Sequence, residues 1–141
     1  MYKRQLHNDI PLDYTSAETV SNTRRSIQNI LHNNDPRILV IVGPCSIHDI
    51  EAAKDYSKYI QEFRKIYKDK LEIVMRVYFE KPRTTIGWKG LINDPHLDGS
   101  YDINTGLRRA RNLLSYLATH EIPSATELLD PIVPQYIVNN L

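Results

Sequence analysis

ILVIVGPCSIHDI, residues 38–50, indicates the fold class of this chain. Its first five residues are apolar and mostly β-branched, and the run closes at Gly43-Pro44. A short apolar run that ends in turn residues is typical of a strand buried on both faces, as in a parallel sheet. Residues 51–67 then repeat apolar side chains every three or four positions, which predicts an amphipathic helix with Asp49 as its N-cap.

The same alternation continues toward the C-terminus. Residues 71–79 are rich in Val, Ile, Tyr and Phe and predict a second strand, and residues 105–118 predict a second amphipathic helix. Residues 124–129 predict a short third strand, followed by a helix over 132–140 with Pro131 in its first turn. Such an order predicts parallel strands with right-handed crossovers, hence an α/β fold. Three such units begin either a doubly wound sheet or a (β/α)8 barrel, which takes about 250 residues.

The N-terminal part looks different from the rest. Residues 1–20 are polar and mixed, and we expect them to form an arm outside the core. Residues 21–32 predict a short helix, whose apolar face carries Ile27, Ile30 and Leu31. We expect Asp35-Pro36 to end this helix, since the residue before a proline disfavours the helical conformation.

Composition excludes several classes of protein. The chain has 141 residues, which suits one small domain, and 41% of them are hydrophobic, enough for a core. Its formal net charge of +1 predicts no general polyanion-binding surface. Cys45 is the single cysteine, so no internal disulfide forms. No apolar run is long enough to span a bilayer, and the N-terminus lacks the apolar core of a signal peptide. We therefore expect a cytoplasmic protein that binds neither membranes nor nucleic acid.

Polar and charged side chains follow each predicted strand. In parallel α/β folds, ligands bind beyond the carboxyl ends of the strands, so we expect these side chains to share one rim. They include Cys45 and His48 after the first strand, Arg76, Lys81, Arg83 and Thr84 at and after the second, and Glu127 and Asp130 after the third.

The cations at the second strand favour an anionic ligand. An arginine within an apolar strand needs an anionic partner, because a buried charge is costly unless it is paired. Arginine and lysine together suit a phosphate or a carboxylate. The alternative is a solvated basic loop in which Arg76 pairs with Glu72 or Glu80. The segment from residue 80 to 101 is long for a connection, which indicates a functional loop.

Cys45 has three interpretations: a metal ligand, a nucleophile or a small core residue, and lone cysteines are more often buried and inert. His48 is either a second ligand or merely polar. The chain has no dinucleotide fingerprint and no Walker A lysine. The segment from Asp94 to Gly99 looks like the start of a calcium loop, but Thr105 stands where the loop needs a glutamate.

Four segments resemble the class I 3-deoxy-D-arabino-heptulosonate 7-phosphate (DAHP) synthases. They are GPCSIHD at 43–49, MRVYFEKPRTT at 75–85, GWKGLINDPHLDGS at 87–100 and ATELLDP at 125–131. The resemblance implies a (β/α)8 barrel with an N-terminal helical extension. In this chain the extension would be residues 1–34, and residues 35–141 would hold about the first three βα units of the catalytic barrel.

The resemblance also implies a reaction and its residues. Phosphoenolpyruvate condenses with D-erythrose 4-phosphate to give DAHP and phosphate, the first step of the shikimate pathway and of aromatic amino-acid biosynthesis. It implies a divalent metal of the Mn, Fe, Co or Zn type, a homo-oligomer and feedback by an aromatic amino acid. By position, the metal ligand would be Cys45, and the catalytic residues that bind phosphoenolpyruvate would be Arg76 and Lys81. The erythrose 4-phosphate site would be formed by Lys81, Pro82, Arg83, Thr84 and Glu127. The feedback pocket would include Asp130, Pro134 and Gln135.

Members of that family are much longer, and their other metal ligands, a histidine, a glutamate and an aspartate, come from later strands. We therefore expect the isolated chain to be inactive. One alternative is a non-catalytic remnant or a subunit-interaction module derived from the same enzyme. Another is a related condensing enzyme that makes the eight-carbon sugar KDO 8-phosphate, although the KPRTT and GWKG segments favour DAHP synthase.

Overall fold

The structure, a computed structural model, describes residues 3–81 and 86–141. These residues form a parallel sheet of three strands in the order β1 (Ile38–Val42), β2 (Leu71–Arg76) and β3 (Ser124–Ala125). The helices are α1 (Lys3–Asp9), α2 (Tyr14–Leu31), α3 (Ile50–Tyr67), α4 (Ile103–Thr119) and α5 (Pro134–Ile137), with a 3-10 turn over Val138–Asn140. The predicted α/β class and the parallel strands are confirmed.

Each of the three long helices begins at an aspartate. The predicted N-cap of α3 is confirmed, since Oδ1 of Asp49 accepts hydrogen bonds from the backbone N–H groups of Glu51 and Ala52. Asp13 caps α2 and Asp102 caps α4 in the same manner. A carboxylate at this position satisfies N–H groups that have no partner within the helix.

Helix α2 begins seven residues before the predicted start at residue 21, because Asp13 caps it there. It ends at Leu31, before the Asp35-Pro36 pair that was predicted to stop it. Just beyond the last turn, Asn33 has a φ of 59°. An asparagine tolerates this left-handed conformation, and so it ends the helix earlier than the proline requires.

The prediction of an arm outside the core is wrong. Leu6 of α1 is fully buried, and Ile10, just after α1, is 9% exposed. The buried side chain of Arg111 in α4 donates from Nε to the carbonyl oxygen of Ile10 at 2.9 Å, and from Nη1 to that of Tyr136 at 2.8 Å. The N-terminal residues therefore pack against α4 and the C-terminal segment.

The core lies between β2 and α4. Ile73 and Met75 of the central strand are buried, and α4 buries four leucines, Leu107, Leu113, Leu114 and Leu117. Full burial of such a side chain contributes about 1.5–3 kcal/mol before the loss of chain entropy is counted. Gly106 lets α4 approach the preceding loop, because a Cβ there would lie 2.0 Å from the carbonyl oxygen of Ile92.

The predicted bounds of β1 are confirmed, but its predicted burial on both faces is wrong. Ile38 is 65% exposed and Ile41 is 53% exposed, because β1 lies at an edge of the described sheet and pairs with β2 alone. The apolar face of α3 is likewise only partly covered. Ile60 is buried, whereas Tyr59, Phe63 and Ile66, predicted on the same face, are exposed.

The C-terminal elements are shorter than predicted. Strand β3 has two residues rather than six, because only Ser124 and Ala125 pair with β2. The predicted helix over 132–140 is replaced by the four-residue α5, whose first residue is Pro134 rather than Pro131. Proline is suited to a first helical position, where its missing N–H would have no partner.

None of the described helices has the length and apolar character needed to cross a bilayer.

Candidate functional site

The loop after β1 packs directly on the end of β2. A Cβ on Gly43 would lie 2.3 Å from the carbonyl oxygen of Arg76, so only glycine permits this approach. The backbone N–H of Ile47 then donates to the carbonyl oxygen of Tyr78 at 2.8 Å. These two contacts hold the GPCSIHD segment beside the continuation of β2, so that side chains from both loops meet.

Cys45 and Lys81 form the first part of this meeting point. Nζ of Lys81 donates a hydrogen bond to Sγ of Cys45 at 3.2 Å, although the two residues are 36 positions apart. Cys45 is exposed, so the interpretation of this residue as a small core residue is wrong. An ammonium group attracts a nearby thiolate, the form of cysteine that binds metals and acts as a nucleophile.

Arg76, Tyr78 and Glu127 form the second part. The guanidinium carbon of Arg76 lies 3.8 Å from the centre of the Tyr78 ring, a cation–π contact. Oη of Tyr78 donates to Oε1 of Glu127 at 2.6 Å, which raises the pKa of Tyr78 because the phenol proton is held by a carboxylate. Tyr78 was not among the predicted site residues, although it follows Arg76 by two positions and alternate residues of an extended chain lie on the same side.

The predicted alternative partners of Arg76 bind elsewhere. Glu72, nearly buried, accepts from Arg37 at 2.7 Å and from Arg64 at 2.8 Å. Among residues 3–81 and 86–141, no ion pair involves Arg76, and its Nε is buried without a hydrogen-bond partner. The described structure therefore does not place Arg76 in an ion pair with Glu72 or Glu80.

Glu80 connects the end of β2 with the segment after β3. Its carboxyl is nearly buried beside the negative charge of Asp130, and Nδ2 of Asn93 lies 3.5 Å from Oε1. Burial, and then the negative charge of Asp130, raise the pKa of Glu80. Two neighbouring carboxyl groups favour retention of a proton by one of them. Glu80 directly precedes Lys81, so this pair joins the site to the C-terminal segment.

The predicted regulatory residues lie on that C-terminal segment. Oδ1 of Asp130 accepts from the backbone N–H groups of Ile132 at 2.6 Å and Val133 at 3.0 Å. Pro134 begins α5, and the exposed Gln135 donates from Nε2 to the carbonyl oxygen of Pro131 at 3.2 Å.

Other predicted positions are less informative. His48 is exposed. Pro82, Arg83 and Thr84 lie outside the described residues. A metal centre is not assembled by the described part of the chain, which contains no group of three His, Cys, Asp or Glu side chains able to hold an ion. Cys45 can supply one ligand, and a single thiolate does not provide the donor set that metal affinity requires.

Three comparisons agree with the resemblance found in the motifs. The sequence model of the DAHP synthetase I family matches residues 12–141. Phe-sensitive phospho-2-dehydro-3-deoxyheptonate aldolase from Escherichia coli K12 is 56% identical over 129 residues, which are 92% of this chain and 37% of that protein. The Tyr-sensitive protein of the same name from that strain is 50% identical over 137 residues, which are 97% of this chain and 38% of that protein.

A solved structure of phospho-2-dehydro-3-deoxyheptonate aldolase from Francisella tularensis SCHU S4 matches with a TM-score of 0.96 and 57% identity. The match covers 99% of this chain and 41% of that one. The chain thus spans well under half the length of these relatives, and within that span both its sequence and its fold are similar to theirs.

Proposed function

Because the chain belongs to the DAHP synthetase I family, we propose that it forms part of an enzyme that condenses phosphoenolpyruvate with D-erythrose 4-phosphate to DAHP and phosphate. The observation that carries the proposal is the convergence of Cys45, Lys81 and Arg76 at the carboxyl ends of β1 and β2. This rim is where parallel α/β folds bind ligands, and its two cations suit an anionic substrate.

The proposed architecture is a (β/α)8 barrel, with residues 1–34 as an extension and residues 35–141 as its first three βα units. Two observations support it. The free edge of β1 carries exposed apolar side chains that a further strand would cover, as the exposed Phe63 and Ile66 of α3 would be by a further helix. The matched Francisella structure has more than twice the length of this chain, enough for such elements.

In the proposed reaction, Arg76 and Lys81 hold the carboxylate and the phosphate of phosphoenolpyruvate. Both cations lie on one rim, and holding two reactants in register supplies much of the acceleration of a bimolecular reaction. Carbon C3 of phosphoenolpyruvate forms a bond with the aldehyde carbon of erythrose 4-phosphate. Water then adds at C2, and phosphate leaves by cleavage of its C–O bond. Pro82, Arg83, Thr84 and Glu127 are proposed to line the erythrose 4-phosphate site.

Cys45 is proposed as one ligand of a divalent metal, of the Mn, Fe, Co or Zn type, whose other ligands come from outside the described residues. The chemistry that such a metal supplies is polarisation of the aldehyde oxygen as a Lewis acid. The exposure of Cys45 and the ammonium group of Lys81 beside it favour a thiolate open to this role.

The printed names of two relatives describe them as Phe-sensitive and Tyr-sensitive. We propose by extension that an aromatic amino acid binds near Asp130, Pro134 and Gln135 and that the enzyme is a cytoplasmic homo-oligomer. The charge interaction between Asp130 and Glu80 supports this location, because it connects the segment with the loop that carries Lys81.

A chimaera tests the proposal. This chain is joined to the part of the Francisella enzyme that follows the matched region, and consumption of phosphoenolpyruvate and formation of DAHP are measured. We expect activity with erythrose 4-phosphate, little with arabinose 5-phosphate, and none from the 141-residue chain alone. Arg76→Ala should lower kcat/KM for phosphoenolpyruvate by at least about 100-fold, as loss of a charge-assisted contact predicts.

Arg108→Ala is the matched control, because Arg108 lies on the surface of α4 and pairs with the exposed Asp9. Its activity should stay within about twofold of the parent chimaera, since surface pairs contribute little. A chimaera that prefers arabinose 5-phosphate would replace the proposal with the KDO 8-phosphate alternative. A folded chimaera with no activity on either sugar would favour a non-catalytic role.

A further inference from the structure

Tyr78 lies between two charged side chains of the proposed substrate site, Arg76 and Glu127. Its ring is 3.8 Å from the guanidinium carbon of Arg76, and its hydroxyl is 2.6 Å from Oε1 of Glu127. The ion pairs among the described residues include none between Arg76 and Glu127. One aromatic side chain thus contacts a cation and an anion that are not paired with each other.

Each contact restrains a side chain that could otherwise adopt other positions, the guanidinium of Arg76 and the carboxylate of Glu127. A guanidinium stacked on a ring keeps its N–H edge free for a planar anion such as a carboxylate. Glu127 is exposed and lies on the irregular segment beyond β3, so its own backbone does not restrict it to one position. A charge-assisted hydrogen bond from the phenol holds the carboxylate at the ring hydroxyl.

We propose that Tyr78 is a positioning residue for phosphoenolpyruvate. Its ring orients Arg76, and its hydroxyl prevents Glu127 from forming an ion pair with Arg76. This inference rests on the proposed function, which assigns Arg76 to the anion of the substrate. Loss of the hydroxyl alone frees Glu127 to pair with Arg76 and compete with that anion. Loss of the ring also removes the surface on which the guanidinium is stacked.

A double-mutant cycle in the chimaera tests the inference, with Tyr78→Phe, Glu127→Gln and the double variant. Tyr78→Phe keeps the ring and should raise KM for phosphoenolpyruvate about tenfold, with kcat changed less than about twofold. In the Glu127→Gln background the same change should alter that KM less than about twofold, because no carboxylate is left to compete. Tyr78→Leu should raise it in both backgrounds, because the ring is lost.

Two results would overturn the inference. One is an equal effect of Tyr78→Phe in both backgrounds, or no effect in either. The other is an equal rise of KM for both substrates, which indicates a general distortion; thermal melting by circular dichroism reports such a change independently. An unsubstituted chimaera without synthase activity would overturn the proposed function together with this inference. An active chimaera without coupling overturns this inference alone.

Discussion

Glu72→Gln is the sharpest test of the ion pairs that stabilise the amino-terminal end of β2. The Glu72 side chain is 5% exposed, and each of its oxygens accepts from a different arginine, Arg37 at 2.7 Å and Arg64 at 2.8 Å. Removal of the negative charge leaves two cations that are only 22% and 23% exposed. Arg37 keeps Asp35 as a partner at 2.7 Å, so most of the cost falls on Arg64.

Breaking a buried ion pair from one side costs about 3–5 kcal/mol, because it leaves an uncompensated charge. The remaining Asp35 partner and the partial exposure of the arginines place the expected loss near the lower end, about 3 kcal/mol. A domain of ordinary stability unfolds with about 5–15 kcal/mol, so the loss is a large share of the total. Urea unfolding of the 141-residue chain, followed by the fluorescence of its single tryptophan, Trp88, measures the change.

Asp55→Asn is the matched control. Asp55 pairs with Lys58 at a similar 2.7 Å, but the two side chains are 72% and 69% exposed. Surface pairs of this kind contribute about 0–0.5 kcal/mol. A loss for Glu72→Gln no larger than that for Asp55→Asn would refute the reasoning, because burial is the difference between the two pairs.

Three further changes test other contacts. Glu80→Gln should flatten the dependence of stability on pH. The pKa of Glu80 is raised in the folded state, so the parent binds a proton more tightly when it is folded. The parent therefore loses stability as the pH rises from the usual glutamate pKa through the raised one. Urea midpoints between pH 4 and 8 measure this, with the variant more stable than the parent at the upper end. Gly43→Ala should lower thermal stability by about 1–3 kcal/mol, since its Cβ would meet the carbonyl oxygen of Arg76 at 2.3 Å. Leu113→Ala, at a fully buried position, should cost about 2–5 kcal/mol in urea unfolding.

Each of these expectations has a contrary result. An unchanged pH profile in Glu80→Gln would mean that the Glu80 carboxyl does not retain its proton in the folded protein. A Gly43→Ala protein that melts with the parent, and whose chimaera keeps its KM for phosphoenolpyruvate, would contradict the close approach of the two loops. A loss below about 1 kcal/mol for Leu113→Ala would indicate that α4 does not form the core as described.

Local sequence patterns were sufficient to predict the elements whose formation depends on neighbours along the chain. The bounds of β1, the N-cap at Asp49 and the presence of α3 and α4 follow from apolar periodicity and from capping within three residues. The family resemblance also depends on continuous motifs, and it was confirmed by the comparisons. The catalytic, substrate-binding, metal-binding and regulatory roles of the site residues all stay predictions.

Burial and side-chain partners depended on the tertiary structure. Ile41 has the same apolar character as a core residue, yet it is exposed because its strand has one neighbour in the described sheet. Leu6 lies in a polar stretch, yet it is buried because α1 packs against the core.

The sequence by itself determined the α/β alternation, the family and the residue types at the rim of the sheet, since each depends on continuous stretches of chain. Only the tertiary structure decided that Lys81 reaches Cys45, 36 positions away, and that Tyr78 reaches Glu127, 49 positions away. Periodicity reports which face of an element is apolar, but it carries no information about which distant side chain will lie opposite. That depends on how the parallel strands bring their ends together.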